Sequence, residues 1–482
     1  MKKITYTIIL LATLGISLVS CKKFLEKEPI GRISKNLLFE DVNGAKAGLN
    51  GAYNQILSYY KNEFGLYGDV ASDNLIKSTK ASALLPQFNF QSLQSDDALA
   101  VGNIWLSILA ATNNVNNVLA SLPNLAAKFP DQTVRLDSIK GQALVMRALC
   151  HFDLSRVYAQ PYNYTTDASH LGVPVLLKTP GPGEQVSRKT MKETYDQIIA
   201  DLNQALPLLE KTNNHTSQFS ISYQAALALL SRVYLYKGDW AQCIANSDKV
   251  INDNNYVLAT ADNYLSTFLA PGKTANGRKI EGIFQLSNIV LTYSSSGVFV
   301  VLSDALSAQY TASAKILNLL NGDIRVSMFN TVLTGENKDK TITRKYADGA
   351  VNTMNPQTIQ VIRLSEIYLN RAEARWNLGQ YPQAAEDIRI ISQRAHPNTT
   401  INISSSDPAL LYKIIADERN RELCFENHRF FDIVRRKENL QRGGDCNATT
   451  CSLTYPNNKF ALPIPVKEVE ANKGMIQNPG YN

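Results

Sequence analysis

Cys21 sits where covalent lipid chemistry is expected. It follows Leu18-Val19-Ser20 and an apolar run from Ile8 to Val19, behind the basic start Met1-Lys2-Lys3. That order suits a signal peptide ending in a lipobox-like Leu-Val-Ser-Cys. Cleavage before Cys21 would leave a new N-terminus with acyl chains on its thiol and amine. Each buried CH₂ contributes ~0.8 kcal/mol, so several chains hold a folded domain on a membrane. The run itself, about a dozen residues, falls short of the ~20 that span a bilayer. The expected organisation is a signal peptide over 1–20, a lipidated tether over 21–35 and one domain over 36–482. That domain divides into an amino-terminal part (36–255) and a carboxy-terminal part (256–482).

Other reactive residue types point to structure. Cys446 and Cys451 share a polar loop, Gly-Gly-Asp-Cys-Asn-Ala-Thr-Thr-Cys, and outside the cytoplasm such a pair should form a disulfide. A metal site is the lesser alternative, because no further His or Cys lies nearby. Cys150, Cys243 and Cys424 stand singly among apolar neighbours and read as buried thiols. The histidines, His151, His170, His215, His396 and His428, form no ligand-spaced cluster. His151 reads as a hydrogen-bonded core residue. Pro271-Gly272-Lys273-Thr274 has Thr267 where a phosphate loop requires glycine. Glu418, Glu422 and Glu426 recur every fourth residue among Arg419 and Arg421, and Glu366 and Glu373 alternate with Arg363, Arg371 and Arg375. These are ion-pair patterns, not the isolated carboxylate pair of a glycosidase. No catalytic residue, cofactor or metal is expected.

The elements that must position any site are mostly helical. With 44% hydrophobic and 19% charged residues the chain is globular. The formal charge is +7, and the signs are interleaved. The one compact basic cluster, Arg435-Arg436-Lys437, reads as a solvated helix end, so nucleic acid is not an expected partner. Amphipathic periodicity predicts helices over 42–60, 101–122, 133–158, 188–209, 222–236, 240–252, 302–320, 357–377, 381–395, 408–425 and 428–436. Residues 255–301 break the pattern and read as loops with short strands, and 161–185 and 321–356 are also loop-rich.

Two helix pairs repeat a pattern. Tyr234-Leu-Tyr-Lys-Gly238-Asp-Trp240 leads to Cys243, and Arg375-Trp-Asn-Leu-Gly379-Gln-Tyr381 leads to Ala384. In each, a glycine ends one helix, an aromatic two residues on opens the next, and a small residue allows close approach. This resembles the tetratricopeptide hairpin. The expected fold is mainly α, a tetratricopeptide-like scaffold with long loop insertions and a few short β-strands.

Several segments in order resemble the SusD/RagB family of Bacteroidetes outer-membrane lipoproteins. The strongest is Asp417-Glu-Arg-Asn-Arg-Glu-Leu-Cys-Phe-Glu-Asn-His-Arg-Phe-Phe-Asp-Ile-Val-Arg-Arg436. Asn427 stands there where the family usually has glycine, and Cys424 where alanine is common. Leu462-Pro-Ile-Pro-Val-Lys-Glu, Gln477-Asn-Pro-Gly-Tyr481, Ala143–Tyr158 and Cys21-Lys-Lys-Phe-Leu-Glu-Lys-Glu-Pro29 also fit. The resemblance implies a non-enzymatic, cell-surface lipoprotein of the outer membrane. Such a protein acts as the lid of a SusC-like TonB-dependent transporter and delivers oligosaccharide to it. A RagB-like peptide ligand is the alternative, and a surface glycosidase or a protein-binding scaffold are further ones. Within the strongest motif, Arg419, Glu422, Arg429, Phe430 and Asp432 are expected to hold the fold, and Trp105 is expected in the core. Sugar recognition needs aromatic faces and hydroxyl-bridging groups. The candidates lie in stretches read as loops: Tyr67, Asp69, Asp73 and Asn74, with Tyr293 in the central insertion.

Overall fold

A computed structural model describes residues 34–92, 100–212, 217–269, 272, 274–287, 308–346 and 358–481. Cys21 and Tyr293 lie outside the described residues. The longer helices are α1 (Val42–Tyr60), α2 (Glu63–Val70), α3 (Ala100–Lys128), α4 (Thr133–Tyr158), α5 (Met191–Thr212) and α6 (Tyr223–Lys237). They continue with α7 (Trp240–Ile251), α8 (Leu364–Asn377), α9 (Tyr381–Ala395), α10 (Pro408–Leu423) and α11 (Arg429–Arg435). Side-chain caps set several starts. Asp41, Ser222, Asp239 and Asp407 accept from backbone amides in the first turns of α1, α6, α7 and α10. Each satisfies a donor that the helix leaves open. No helix among the described residues is long and apolar enough to cross a membrane.

The helices pack in a continuous row. α1 lies on α3, α3 on α4, α4 on α5, α5 on α6, α6 on α7 and α7 on α8, while α8 packs on α9 and α10. α4 is the inner member, with every residue from Gly141 to Tyr158 buried, so its sequence carries no single apolar stripe. The row passes from amino-terminal to carboxy-terminal residues at α7–α8, where Arg371 joins Asp248 and Asp387, each at 2.6 Å. One hydrophobic cluster runs from Val42 to Met475. Trp105 is fully buried in it, edge-on to Tyr158 at 5.0 Å.

The hairpins α6–α7 and α8–α9 share one turn. Gly238 and Gly379 have φ of 79° and 73°. The amide of the residue after each glycine reaches back to Tyr234 and Arg375, closing the helix end. An L side chain at that φ would cost ~1–2 kcal/mol. Cys243 and Ala384 are fully buried at the close approaches.

Two expected helices are corrected. Within 302–320, residues 302–307 lie outside the described residues, Tyr310–Ala312 is a strand, and only Ala314–Leu319 is helical. Within 357–377, Thr358–Arg363 is a strand that precedes α8. All six of its residues are buried, so no alternation separates its apolar run from the helix that follows. It pairs antiparallel with Gly282–Ser287, and Tyr310–Ala312 pairs antiparallel with Leu75–Lys77. These short ladders fasten distant stretches onto the helical row.

Candidate functional site

The stretch expected to offer a ligand surface is interior instead. Tyr67 and Asp69 belong to α2, where every residue from Phe64 to Val70 is buried, and Asp73 and Asn74 are buried just beyond it. The expectation of an exposed loop is therefore corrected for all four. The reason is a partner segment far along the chain. Tyr67 packs against Phe430 and Phe431, with ring centroids 5.5 and 5.9 Å away. The Gly68 amide donates to Asn427 Oδ1 at 2.6 Å, and the Asn427 amide donates to Asp69 Oδ2 at 2.8 Å. Asp69 Oδ1 has no geometrically good hydrogen bond among the described residues, and burial pushes that carboxyl up to about 7. Asp73 accepts from Arg429 Nε and Nη2 at 2.7 and 2.8 Å and from Lys315 Nζ at 2.6 Å. Burial alone would raise the Asp73 carboxyl, but the two cations outweigh it and hold it down at about 2. Asn74 and Asn420 exchange side-chain amide bonds at 2.8 and 3.2 Å.

The remaining charges of the 417–436 motif are also paired. Arg419 donates to Asp432 and to Asn370, both at 2.8 Å. Glu422 meets Arg325, Arg363 and Arg394. Burial would raise its carboxyl, yet these guanidiniums keep it well below the usual carboxylate range. Removing one member of such a buried set leaves an uncompensated charge and costs ~3–5 kcal/mol.

Solvent-facing polar groups collect on a ledge beside this clamp. Asn447 accepts from the Lys77 amide at 3.0 Å and donates to its carbonyl at 2.7 Å. The loop carrying Asn447 is closed by a Cys446–Cys451 disulfide, and Asp445 in it accepts from the Ala314 amide at 2.7 Å. Thr79 donates to Glu336 at 3.1 Å, and Lys80 lies 3.7 Å from the same carboxylate. The Lys80 and Glu336 side chains are 49% and 58% exposed. Ala308 rejoins the ledge after the central insertion, its carbonyl accepting from Ser78 and Asn337. Lysine, carboxylate and amide groups on a held backbone can bridge neighbouring hydroxyls. Among the described residues no cluster of His, Cys, Asp and Glu is placed to hold a metal.

Comparison with known proteins decides what kind of chain builds this. Residues 264–481 match the model described as the SusD family, and residues 23–235 match one described as starch-binding, associating with outer membrane. The chain belongs to the SusD family. A solved SusD superfamily protein from Bacteroides thetaiotaomicron superposes with a TM-score of 0.82 at 27% identity, over 91% of this chain and 100% of that one. SusD-like protein P2 of Formosa agariphila is 26% identical over 99% of both chains. Starch-binding protein SusD of Bacteroides thetaiotaomicron is 34% identical over 130 residues, 26% of this chain and 21% of that protein.

In this SusD-family chain the sequence reading missed the ledge residues Lys77, Asn447 and Glu336, and it missed Arg442. Arg442 donates to the Ser72 and Phe88 carbonyls at 3.0 and 2.7 Å, with its guanidinium 4.3 Å from the Phe88 ring centroid. The available signal was the proposed disulfide itself. A short closed loop is rigid, so its polar residues are held in place.

Proposed function

We propose that this protein is a cell-surface lipoprotein that binds oligosaccharide and passes it to a SusC-like TonB-dependent transporter, over which it acts as a lid. The observation that carries the reading is the pair of family matches over 23–235 and 264–481, one described by starch binding and outer-membrane association. The lipobox-like sequence at Cys21 supports an acyl anchor. The ledge of Lys77, Lys80, Glu336 and Asn447 is the surface assigned to the sugar, because its polar groups face solvent while Asp73 and Asn74 are committed to the interior. The protein binds and does not cleave; Glu418, Glu422 and Glu426 each lie against a cation.

The test is calorimetric titration of residues 22–482 against a panel of oligosaccharides, with a peptide digest alongside. Saturable binding to one glycan class without new reducing ends supports the reading. Binding to peptides alone, or appearance of cleavage products, refutes it. Cys21→Ala should release the protein from membranes and abolish incorporation of labelled fatty acid. Co-purification with a TonB-dependent transporter tests the partner.

A further inference from the structure

A cleft of about 200 Å³ opens in the carboxy-terminal part, where the end of α9, the loop through Ile401 and Ile403, α10 and the turn after Leu319 meet. None of its lining residues belongs to the ledge or to the clamp on Asp73. Its size falls below the ~300–1,000 Å³ of pockets that enclose drug-sized ligands, so it suits one side chain with its adjoining backbone. One wall is aliphatic, formed by Ile401, Ile403 and Ile414. Among the described residues no Phe, Tyr or Trp ring lines it, and a sugar would lack the broad apolar face on which its C–H surface stacks.

The polar side of the cleft is divided into spent and available groups. Asp323 and Glu418 are both nearly fully buried and engaged by Arg325. Glu418 also accepts from Arg421 Nη1 at 2.9 Å. These carboxylates are therefore neutralised, and the cleft has no claim on a cation. Arg421 Nε donates to the Leu319 carbonyl at 2.9 Å, which leaves its Nη2 as a donor with no bond among the described residues. His396 Nδ1 lies 3.0 Å from the Ser392 carbonyl. A carbonyl only accepts, so Nδ1 donates, and in that tautomer Nε2 is an acceptor. A donor and an acceptor beside an aliphatic wall are the complement of a peptide group that carries a branched aliphatic side chain.

We infer that this cleft is a second binding site, separate from the glycan surface, which takes one leucine-like residue of an extended peptide segment. The side chain lies on Ile401, Ile403 and Ile414, the peptide carbonyl accepts from Arg421, and the peptide N–H donates to His396.

The probe is N-acetyl-Ala-Leu-Ala-amide, titrated into the full-length chain in detergent micelles and compared with N-acetyl-Ala-Ala-Ala-amide. The leucine peptide should bind saturably and about tenfold or more tighter than the alanine peptide, because only leucine fills the aliphatic wall. Ile403→Trp, which fills the cleft from an exposed loop, should abolish that binding and leave the glycan titration unchanged. Arg421→Gln should weaken it. Equal binding of the two peptides, no saturable binding, or leucine-peptide binding that survives Ile403→Trp would overturn the inference. So would loss of glycan binding in that variant, which would assign the cleft to sugar.

Discussion

Asp73→Asn separates a structural clamp from a ligand contact. The substitution keeps volume and removes the charge that faces Arg429 and Lys315. In the folded protein the carboxyl sits at about 2, against an ordinary 3.8. At ~1.4 kcal/mol per pH unit this corresponds to about 2 kcal/mol of stability. That figure is net of burial, which alone would have raised the value. The Lys315 side chain is 39% exposed, so water screens its share, whereas Arg429 at 13% carries most of the effect. Leaving Arg429 without its partner adds a penalty, and breaking a buried pair costs ~3–5 kcal/mol. The expected loss is therefore about 2–5 kcal/mol. Guanidinium unfolding of parent and variant at pH 7 measures it. The sign with pH follows from linkage. A depressed carboxyl contributes fully above 3.8, and the contribution is lost as pH falls through about 2, so the gap between the two proteins narrows below pH 3.8. Combining Asp73→Asn with Arg429→Met should cost less than the two single losses added together. A loss under about 1 kcal/mol at pH 7, accompanied by loss of glycan binding, would refute the clamp and return Asp73 to the ligand.

Gly68→Ala would place a Cβ 2.4 Å from Asn427 Oδ1 and 2.9 Å from its carbonyl oxygen. The expected cost is ~1–3 kcal/mol, read by chemical denaturation and partly relieved in the double variant with Asn427→Gly. His151 accepts the Leu176 amide at Nε2, and burial first, then the Arg147 charge, push it down to about 3 from 6.5. The unfolded chain then binds the extra proton between those values, so stability rises with pH over that window. About 2 kcal/mol of it is missing at pH 5 relative to pH 8, and His151→Gln should flatten that slope. Reducing the Cys446–Cys451 bond opens a very short loop and should lower stability by about 2 kcal/mol on the chain-entropy view. It should also weaken glycan binding by freeing Asn447 from Lys77, which titration in the presence of a reductant would report.

The parts of the fold legible in the sequence were those whose causes are local. Gly238 and Gly379 mark turns because only glycine takes that backbone without cost, and the aromatic and small residues after them carry the hairpin pattern. The strand Thr358–Arg363 was illegible because full burial erases the alternation that distinguishes a strand. Tyr67, Asp69, Asp73 and Asn74 were read as loop residues because Gly65, Gly68 and paired acids resemble a solvated turn. Their burial depends on Asn420, Asn427 and Arg429, partners whose positions no local window contains. The ledge was hidden for the same reason, since Lys77 and Asn447 meet across 370 residues.

That distance has a consequence for biogenesis. A chain synthesised amino-terminus first exposes α2 long before residues 420–429 arrive. Until then Asp69 and Asn74 lack Asn427 and Asn420, and Asp73 has Lys315 but not Arg429, so the amino-terminal part cannot close its interior over them. Contacts this far apart in sequence also form slowly. The fold is thus keyed to its own completion. A product truncated before the 417–436 motif leaves polar groups unpaired in α2 and the turn beyond it, a defect on which proteases can act.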